Sequence, residues 1–98
     1  MNLRRLECFI AVAETGSVRA AARRLHVTPP SLSQQLRVLE DEIGGPLLER
    51  LPHGMRLTAA GEEVYQTCRV LFSTLEELDA RLSRGAGDRE AGKREARI

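Results

Sequence analysis

Aromatic side chains are nearly missing from this sequence of 98 residues, which has one Tyr, two Phe and no Trp. Its apolar residues are mostly Leu, Ala and Val, and 30% of the chain is charged. This mixture favours helices, because β-sheets are enriched in aromatic and β-branched residues. A chain of this length makes one domain, or a small domain with an appendage. Its core alone is marginal, so its stability can depend on a partner chain.

Cysteine is scarce as well, since Cys8 and Cys68 are the two thiols of the chain and lie far apart in sequence. They lack the C-x-x-C spacing of metal and redox sites, and we expect them to be reduced. Free cysteine behaves as a small apolar residue. Cys8 is therefore predicted near the core of the first helix.

The sequence also lacks the features of membrane or secreted proteins and those of enzymes. No apolar stretch is long enough to span a membrane and no signal peptide is recognisable, which predicts a cytoplasmic protein with no membrane partner. His26 and His53 are isolated, and no nucleophile–base pair, metal-ligand spacing or glycine-rich phosphate loop occurs. We therefore expect no enzyme activity, no metal and no cofactor.

Acidic residues are missing from one long window. Between Gly16 and Leu39 there is no Asp or Glu, whereas several arginines are present: Arg19, Arg23, Arg24 and Arg37. The net charge of +1 does not by itself indicate nucleic acid. A local basic zone in a near-neutral protein is typical of an electrostatic binding surface. On charge alone, a solvated Arg-rich helix face is an equally good interpretation.

Helices are predicted throughout the first half of the chain. Apolar residues at helical spacing indicate an amphipathic helix over residues 3–14, and Ser17 is an N-cap candidate for a second helix. In the stretch "LHVTPPSLSQQL", Thr28 is a favourable N-cap, and proline is accepted in a first turn because no N–H is needed there. We therefore predict a third helix over residues 29–43, ended by Gly44-Gly45-Pro46.

Two short apolar stretches and one long periodic stretch follow. Residues 47–51 and 55–58 flank a Gly-containing turn, which predicts a small β-hairpin. Thr58 is predicted to cap a helix over residues 59–84, whose apolar residues recur at intervals of four and three. This period of about 3.5 residues is that of a coiled-coil seam, so we predict dimerisation through this helix. The seam residues are Val64, Cys68, Leu71, Leu75, Leu78 and Leu82.

Helix, short turn, helix and hairpin is the element order of a winged helix-turn-helix. The predicted fold is mainly α, with three helices plus a small β-hairpin wing, followed by a long dimerisation linker helix. We predict a DNA-binding domain over residues 1–58 and a linker helix over residues 59–84. Residues 85–98 are predicted to be a flexible tail or an expression remnant.

This motif points to candidate DNA contacts. It places the N-terminal part of its second helix in the major groove, where hydroxyl and amide groups can read base edges. The groups there belong to Thr28, Ser31, Ser33, Gln34 and Gln35. Free N–H groups at this helix terminus, and at the helix that Ser17 begins, are typical of phosphate sites. Arg37, Arg50 and Arg56 are candidate contacts to the DNA backbone. Each residue alone is equally well explained as an ordinary surface residue, and the set together favours DNA.

Three stretches carry a resemblance to a known family: "MNLRRLECFIAVAETGS", "AARRLHVTPPSLSQQLRVLEDEIGGPLLER" and "RLTAAG". From Met1 to about Leu82 the chain resembles the N-terminal DNA-binding domain of LysR-type transcriptional regulators. The resemblance implies a bacterial regulator that binds an interrupted palindrome as a dimer or tetramer. It also implies an effector-binding domain that is not in this chain, and we expect an excised domain rather than a truncated member.

The resemblance also implies which positions lie near DNA. These are Thr28, Pro29, Pro30, Ser33, Gln34 and Arg37, together with the wing arginines. The family most often has Gln at position 29 and often Arg at position 34. Pro29 offers ring packing, for example against a thymine methyl, and Gln34 removes a positive charge. Val18 and Leu48 replace phenylalanines and affect packing. We therefore expect Thr28, Ser33 and Gln34 to carry more of the base reading.

An alternative function remains open at this point. A winged helix can act as a protein–protein interaction module without DNA binding, because a fold does not fix a function. Such a module has no reason to exclude Asp and Glu from residues 17–39, so the acid-free window favours DNA.

Overall fold

The computed structural model of the chain describes residues 1–85. Its elements are α1 (Leu3–Thr15), α2 (Val18–Leu25), α3 (Pro29–Ile43), β1 (Leu48–Leu51), β2 (Gly54–Leu57) and α4 (Ala59–Arg84). This order confirms the predicted mainly α winged helix-turn-helix with a long helix after the wing. Both strands begin and end within one residue of the predicted stretches.

The described residues divide into two compact units, Met1–Cys68 and a second one that begins at Arg69, so that α4 contributes to both. The predicted domain limit after residue 58 stays a prediction. Of the predicted tail, residues 86–98 lie outside the described residues.

Side-chain caps and left-handed residues set the ends of the helices. Asn2, Ser17 and Thr28 each accept a hydrogen bond from a backbone N–H three residues on, at the starts of α1, α2 and α3. At the other end of α2, His26 adopts a left-handed conformation with φ 59° and ψ 44°. Its backbone N–H donates to the carbonyl oxygens of Ala22 and Arg23, and this ends the helix. The turn between α2 and α3 is therefore short, as a helix-turn-helix requires.

The core of the first unit is made from the inner faces of α1, α2 and α3. Phe9 and Val12 of α1 are fully buried, and Ala21 and Ala22 of α2 are small enough to let neighbouring helices approach closely. The apolar stripe of α3 completes this core with Leu32, Leu36 and Leu39. Full burial of such a side chain stabilises the fold by about 1.5–3 kcal/mol.

Both cysteines belong to the interior of the protein. Cys8 and Cys68 are buried free thiols. Burial raises the pKa of each thiol above its usual value, so both stay protonated at neutral pH and react slowly. This confirms Cys8 as a core residue of α1.

The hairpin is anchored through the segment that precedes it. One carboxylate oxygen of Glu40, on α3, accepts hydrogen bonds from the N–H groups of Leu47 at 2.8 Å and Leu48 at 3.4 Å. The Leu47 carbonyl in turn accepts from the Thr58 N–H at 3.0 Å. The hairpin is thus held at both ends: Glu40 holds its start at Leu47 and Leu48, and Leu47 holds Thr58, the residue after β2.

The first turn of α4 packs so closely on the backbone of Leu47 that position 61 accommodates only glycine. A Cβ atom on Gly61 would overlap the carbonyl oxygen of Leu47. Alanine ordinarily stabilises a helix relative to glycine, so steric overlap here reverses the usual sign of the substitution.

We expect Gly61→Ala to lower the free energy of unfolding by about 1–3 kcal/mol through this overlap. Urea denaturation followed by circular dichroism measures it. Gly45→Ala is the matched control, because no atom lies within 4 Å of the added Cβ. Equal midpoints for the two variants would contradict the close packing of α4 on Leu47.

Candidate nucleic-acid interface

The predicted base-reading residues lie on the exposed side of α3. Thr28, Pro29, Pro30 and Gln34 are exposed and Ser33 is half-buried, whereas Leu32 is fully buried on the opposite face. Positions three and four apart share one face of a helix. Ser33, Gln34 and Arg37 therefore form a continuous polar strip beside the turn of Pro29 and Pro30.

The N-terminus of α3 differs from the expectation in one respect. Pro29 and Pro30 have no N–H, the Ser31 N–H donates to the Thr28 hydroxyl at 3.3 Å, and the Leu32 N–H donates to the Thr28 carbonyl at 3.0 Å. No backbone donor of this turn is left for a ligand. The expectation that free N–H groups here bind phosphate is therefore wrong, although the helix dipole remains.

The N-terminus of α2 retains the donors that α3 lacks. Ser17 accepts from the Ala20 N–H at 3.1 Å through its hydroxyl, and from the Ala21 N–H at 3.0 Å through its carbonyl. Within residues 1–85, the N–H groups of Val18 and Arg19 have no acceptor. Helix termini of this kind favour phosphate oxygens.

The two neighbouring glutamines of α3 have different roles. Gln34 is exposed, and its Oε1 accepts a hydrogen bond from Arg37 Nη1 at 2.8 Å. Gln35 is half-buried, and its Oε1 accepts from Arg5 Nε of α1 at 3.0 Å. Gln35 thus joins two helices, and the suggestion that it offers its amide to DNA is not supported by this geometry.

A cleft separates α3 from the hairpin and brings two arginines together. Its volume is about 250 Å³. Arg37 and Arg50 line it, as do Ser33 and Glu40 and the apolar side chains Val18, Leu36, Leu48 and Met55. Within residues 1–85, neither Arg37 nor Arg50 forms an ion pair with a carboxylate. The cleft therefore holds two arginines without an ion pair, beside the carboxylate of Glu40, which accepts backbone N–H groups.

Other arginines of the basic zone and wing are partly neutralised. Arg56 Nε lies 2.8 Å from Glu49 Oε1 across the hairpin, where the two residues face each other in the antiparallel register. Arg24 Nη1 lies 2.7 Å from Glu14 Oε1. Exposed ion pairs of this kind contribute about 0–1 kcal/mol. A phosphate group can therefore compete for Arg56, but Glu49 weakens its attraction.

Two acidic residues matter here that the sequence reasoning missed. Glu40 holds the segment before the wing, and Glu49 holds the wing arginine. Glu40, Asp41 and Glu42 all oppose the helix dipole near the end of α3, and this signal marks the turn without showing which acid accepts the N–H groups. Glu49 could be paired with Arg56 only after the register of the hairpin was known.

The predicted seam residues differ in exposure. Val64 and Leu71 are half-buried, and Cys68 is 2% exposed within one chain. Further along α4, Leu75, Leu78 and Leu82 are 41%, 42% and 47% exposed, as expected for side chains that contact another molecule. Within residues 1–85, no helix is long and apolar enough to cross a membrane, and no group of His, Cys, Asp and Glu side chains is placed to hold a metal ion.

Known proteins resemble this chain in sequence and in fold. The family model for a bacterial regulatory helix-turn-helix protein of the lysR family matches residues 3–62. The HTH-type transcriptional regulator ClcR of Pseudomonas putida is 43% identical over 93 residues, which cover 95% of this chain and 31% of ClcR. The chain thus spans about a third of the length of this curated relative.

Two solved structures have the same fold. The CbnR_DBD–DNA complex matches with a TM-score of 0.75 and 42% identity, covering 89% of this chain and 99% of that one. The BenM_DBD complex with catB site 1 DNA matches with a TM-score of 0.81 and 37% identity, covering 88% and 96%.

Removal of the hydroxyl that caps α3 tests the geometry of its first turn. We expect Thr28→Val to lower the free energy of unfolding by about 1 kcal/mol, because the Ser31 N–H loses its acceptor. Thr28→Ser keeps the hydroxyl and should stay near the wild type in urea denaturation. If the serine variant lost as much stability as the valine variant, the hydroxyl would not be the stabilising group.

Proposed function

Because the chain belongs to the lysR family of bacterial regulatory helix-turn-helix proteins, we propose that it binds double-stranded DNA sequence-specifically as part of a transcriptional regulator. The observation that carries this proposal is the exposed polar strip of α3, which includes Arg37, together with Arg50 across the cleft; neither arginine forms an ion pair within residues 1–85. The similar chains CbnR_DBD and BenM_DBD, whose structures are DNA complexes, support it.

In the proposed complex, α3 enters the major groove of each half-site. Base edges face Thr28, Pro29, Pro30, Ser33 and Gln34. The hydroxyl groups can donate or accept, and the proline rings can pack on a thymine methyl. Since the proline turn has no free N–H, its affinity for DNA comes from apolar contact rather than from backbone hydrogen bonds.

Contacts to the sugar–phosphate backbone surround this strip. Arg37 and Arg50 flank the cleft, and Ser17 begins a helix with two available N–H groups. Ser31 and Arg56 are further backbone contacts in this proposal, with Arg56 shared between DNA and Glu49. Such contacts fix the register of the protein on the duplex, whereas base contacts provide the specificity.

We further propose that two copies associate through α4 and occupy an interrupted palindrome. The 3.5-residue period of Val64, Cys68, Leu71, Leu75, Leu78 and Leu82 supports a helix-to-helix seam. The exposure of the last three leucines supports a partner on that face. In a longer protein with an effector-binding domain, two such dimers form a tetramer. The cytoplasm, which holds bacterial DNA, is the proposed location.

Other functions have less support. The relatives that match this chain are named transcriptional regulators, and the chain is not an enzyme. A protein-binding winged helix without DNA binding gains no support from the relatives or from the solved structures.

Filter binding of a random duplex at several salt concentrations tests DNA binding directly. We expect the logarithm of the affinity to fall linearly with the logarithm of salt, with a slope of about −0.9 per phosphate contact. Arg50→Ala should weaken binding to all sequences alike and reduce this slope by about one unit. An affinity independent of salt, or no retention of the duplex, would contradict the proposal.

The same assay separates the two wing arginines. Arg56→Ala should change the slope less than Arg50→Ala, because Glu49 already neutralises part of the Arg56 charge. Glu49→Gln removes that charge while keeping a side chain of the same size, and should tighten binding. A larger effect of Arg56→Ala would show that Glu49 does not restrain Arg56.

Association through α4 is tested by a charge in its apolar seam. We expect Leu75→Asp to convert dimers into folded monomers that bind a full palindrome poorly, because a carboxylate is costly to bury without a partner. Size-exclusion chromatography with light scattering measures the mass. Val70→Asp is the control, since Val70 is 67% exposed and lies off the seam. A monomeric wild type would contradict the seam.

A further inference from the structure

Arg5 of α1 contacts α3, the helix that carries the exposed polar strip, at two points. Its Nε donates to Gln35 Oε1 at 3.0 Å, and its Nη1 donates to Glu42 Oε2 at 3.5 Å. The other carboxylate oxygen of Glu42 accepts from the Met1 amino group at 2.9 Å. Positions 35 and 42 are seven residues apart, so they lie on one face of α3 and are separated by two turns. One guanidinium therefore holds two turns of this helix.

The two contacts lie on the flank of α3 that is opposite the wing. Glu42 is about 160° around the helix from Glu40, because each residue advances an α-helix by about 100°. The carboxylate of Glu40 holds the segment before the wing. The exposed strip of Ser33, Gln34 and Arg37 lies between these two flanks. Polar contacts thus hold α3 on both sides of the strip.

The leucine core of α3 does not supply the same restraint. Burial of apolar surface is non-directional, and a core of suitable volume loses its unique arrangement before it loses stability. A hydrogen bond weakens steeply outside a narrow range of distance and angle, and a guanidinium is a rigid planar donor. The contacts of Arg5 therefore restrain the position of α3 along its axis and around it.

We propose that Arg5 is a positioning residue for base reading, which holds α3 where Ser33 and Gln34 meet the base edges and does not touch DNA itself. This inference rests on the proposed DNA binding and names a residue that determines its specificity. The side chain of Arg5 is 25% exposed and lies beside the Glu42 carboxylate, which leaves little of its charge for a phosphate.

A displaced α3 would affect specific and random binding unequally. Base contacts need donor–acceptor distances of about 2.7–3.2 Å. Exposed charges attract phosphate over the Debye length, which is about 8 Å at physiological salt, and binding to random duplex comes from such phosphate contacts. Loss of the Arg5 contacts should therefore reduce the affinity for a specific site more than the affinity for random DNA.

Filter binding with two duplexes tests the inference: one duplex is selected by the wild type from a random library, and the other has random sequence. Arg5→Met keeps an unbranched apolar side chain and removes the donors. We expect it to reduce the ratio of specific to random affinity by roughly two- to tenfold, which corresponds to one net hydrogen bond. The salt slope on the random duplex should keep its wild-type value, since no phosphate contact is lost.

Arg4→Met is the matched control for the loss of an arginine from the start of α1. Arg4 is the preceding residue, and its Nη1 donates to Glu7 Oε1 of the same helix at 3.4 Å. The substitution removes an equal charge and leaves the contacts between Arg5 and α3 in place. We therefore expect the ratio of specific to random affinity to stay at its wild-type value.

Variants of Gln35 test the same contact from α3. Gln35→Met removes the acceptor and should reduce the ratio, and the double variant with Arg5→Met should reduce it no further than Arg5→Met alone, because the two changes break one bond. Gln35→Glu keeps an acceptor for Arg5. Its added negative charge repels both duplexes, so the ratio should stay near the wild-type value.

An unchanged ratio in Arg5→Met, or additive losses in the double variant, would overturn the inference and leave the proposed function intact. A smaller salt slope in Arg5→Met would also overturn it, because Arg5 would then contact phosphate. Failure of the wild type to retain any duplex would overturn both proposals. Circular dichroism checks that the variants fold. If Arg5→Met does not fold, equal ratios for Gln35→Met and Gln35→Glu would overturn the inference.

Discussion

Burial of the leucine stripe of α3 is the constraint on which both the core and the candidate interface depend. Leu32 and Leu39 are 0% exposed and Leu36 is 8% exposed. A turn of α-helix takes 3.6 residues, so a helix with this stripe inside must present Gln34 and Arg37 outside. Rotating the helix would expose these leucines, each at a cost of about 1.5–3 kcal/mol. The direction of the candidate base-reading side chains is therefore set by the core and not by the side chains themselves.

The position of the wing follows from the same helix. Glu40 lies one residue after Leu39, and its carboxylate accepts the N–H groups of Leu47 and Leu48, where β1 begins. Hydrogen bonds from a charged acceptor to backbone donors are stronger than neutral ones. The strand that carries Arg50 thus starts at a point fixed relative to α3. Arg37 and Arg50 line one cleft because a carboxylate at the end of the helix holds the backbone of the hairpin.

Local features of the fold were predictable from the sequence, and long-range side-chain pairing was not. The limits of α3 follow from Thr28 and Gly44, since capping acts over three or four residues. The bonds of Gln35 to Arg5 and of Glu49 to Arg56 depend on which helices and strands become neighbours. The loss of N–H donors in the TPPS turn was accessible in principle, because proline lacks a donor and a threonine cap uses the next one. The spacing of apolar residues shows which side of a helix is buried. It does not show which polar atoms become hydrogen-bond partners.

The small positive charge has a consequence for how the proposed complex gains affinity. Binding to any duplex comes mostly from phosphate contacts, and each contact contributes through counterion release. Here Glu14 and Glu49 compensate Arg24 and Arg56, which leaves few arginines for phosphate. In the proposed complex, one protomer is therefore expected to hold random DNA weakly, so that discrimination comes from the bases. A second copy joined through α4 doubles the base contacts and the phosphate contacts at a palindrome, whereas it adds less at random DNA that matches neither half-site. In this proposal, association through the leucines of α4 is the physical means by which a nearly neutral domain can be both selective and tight.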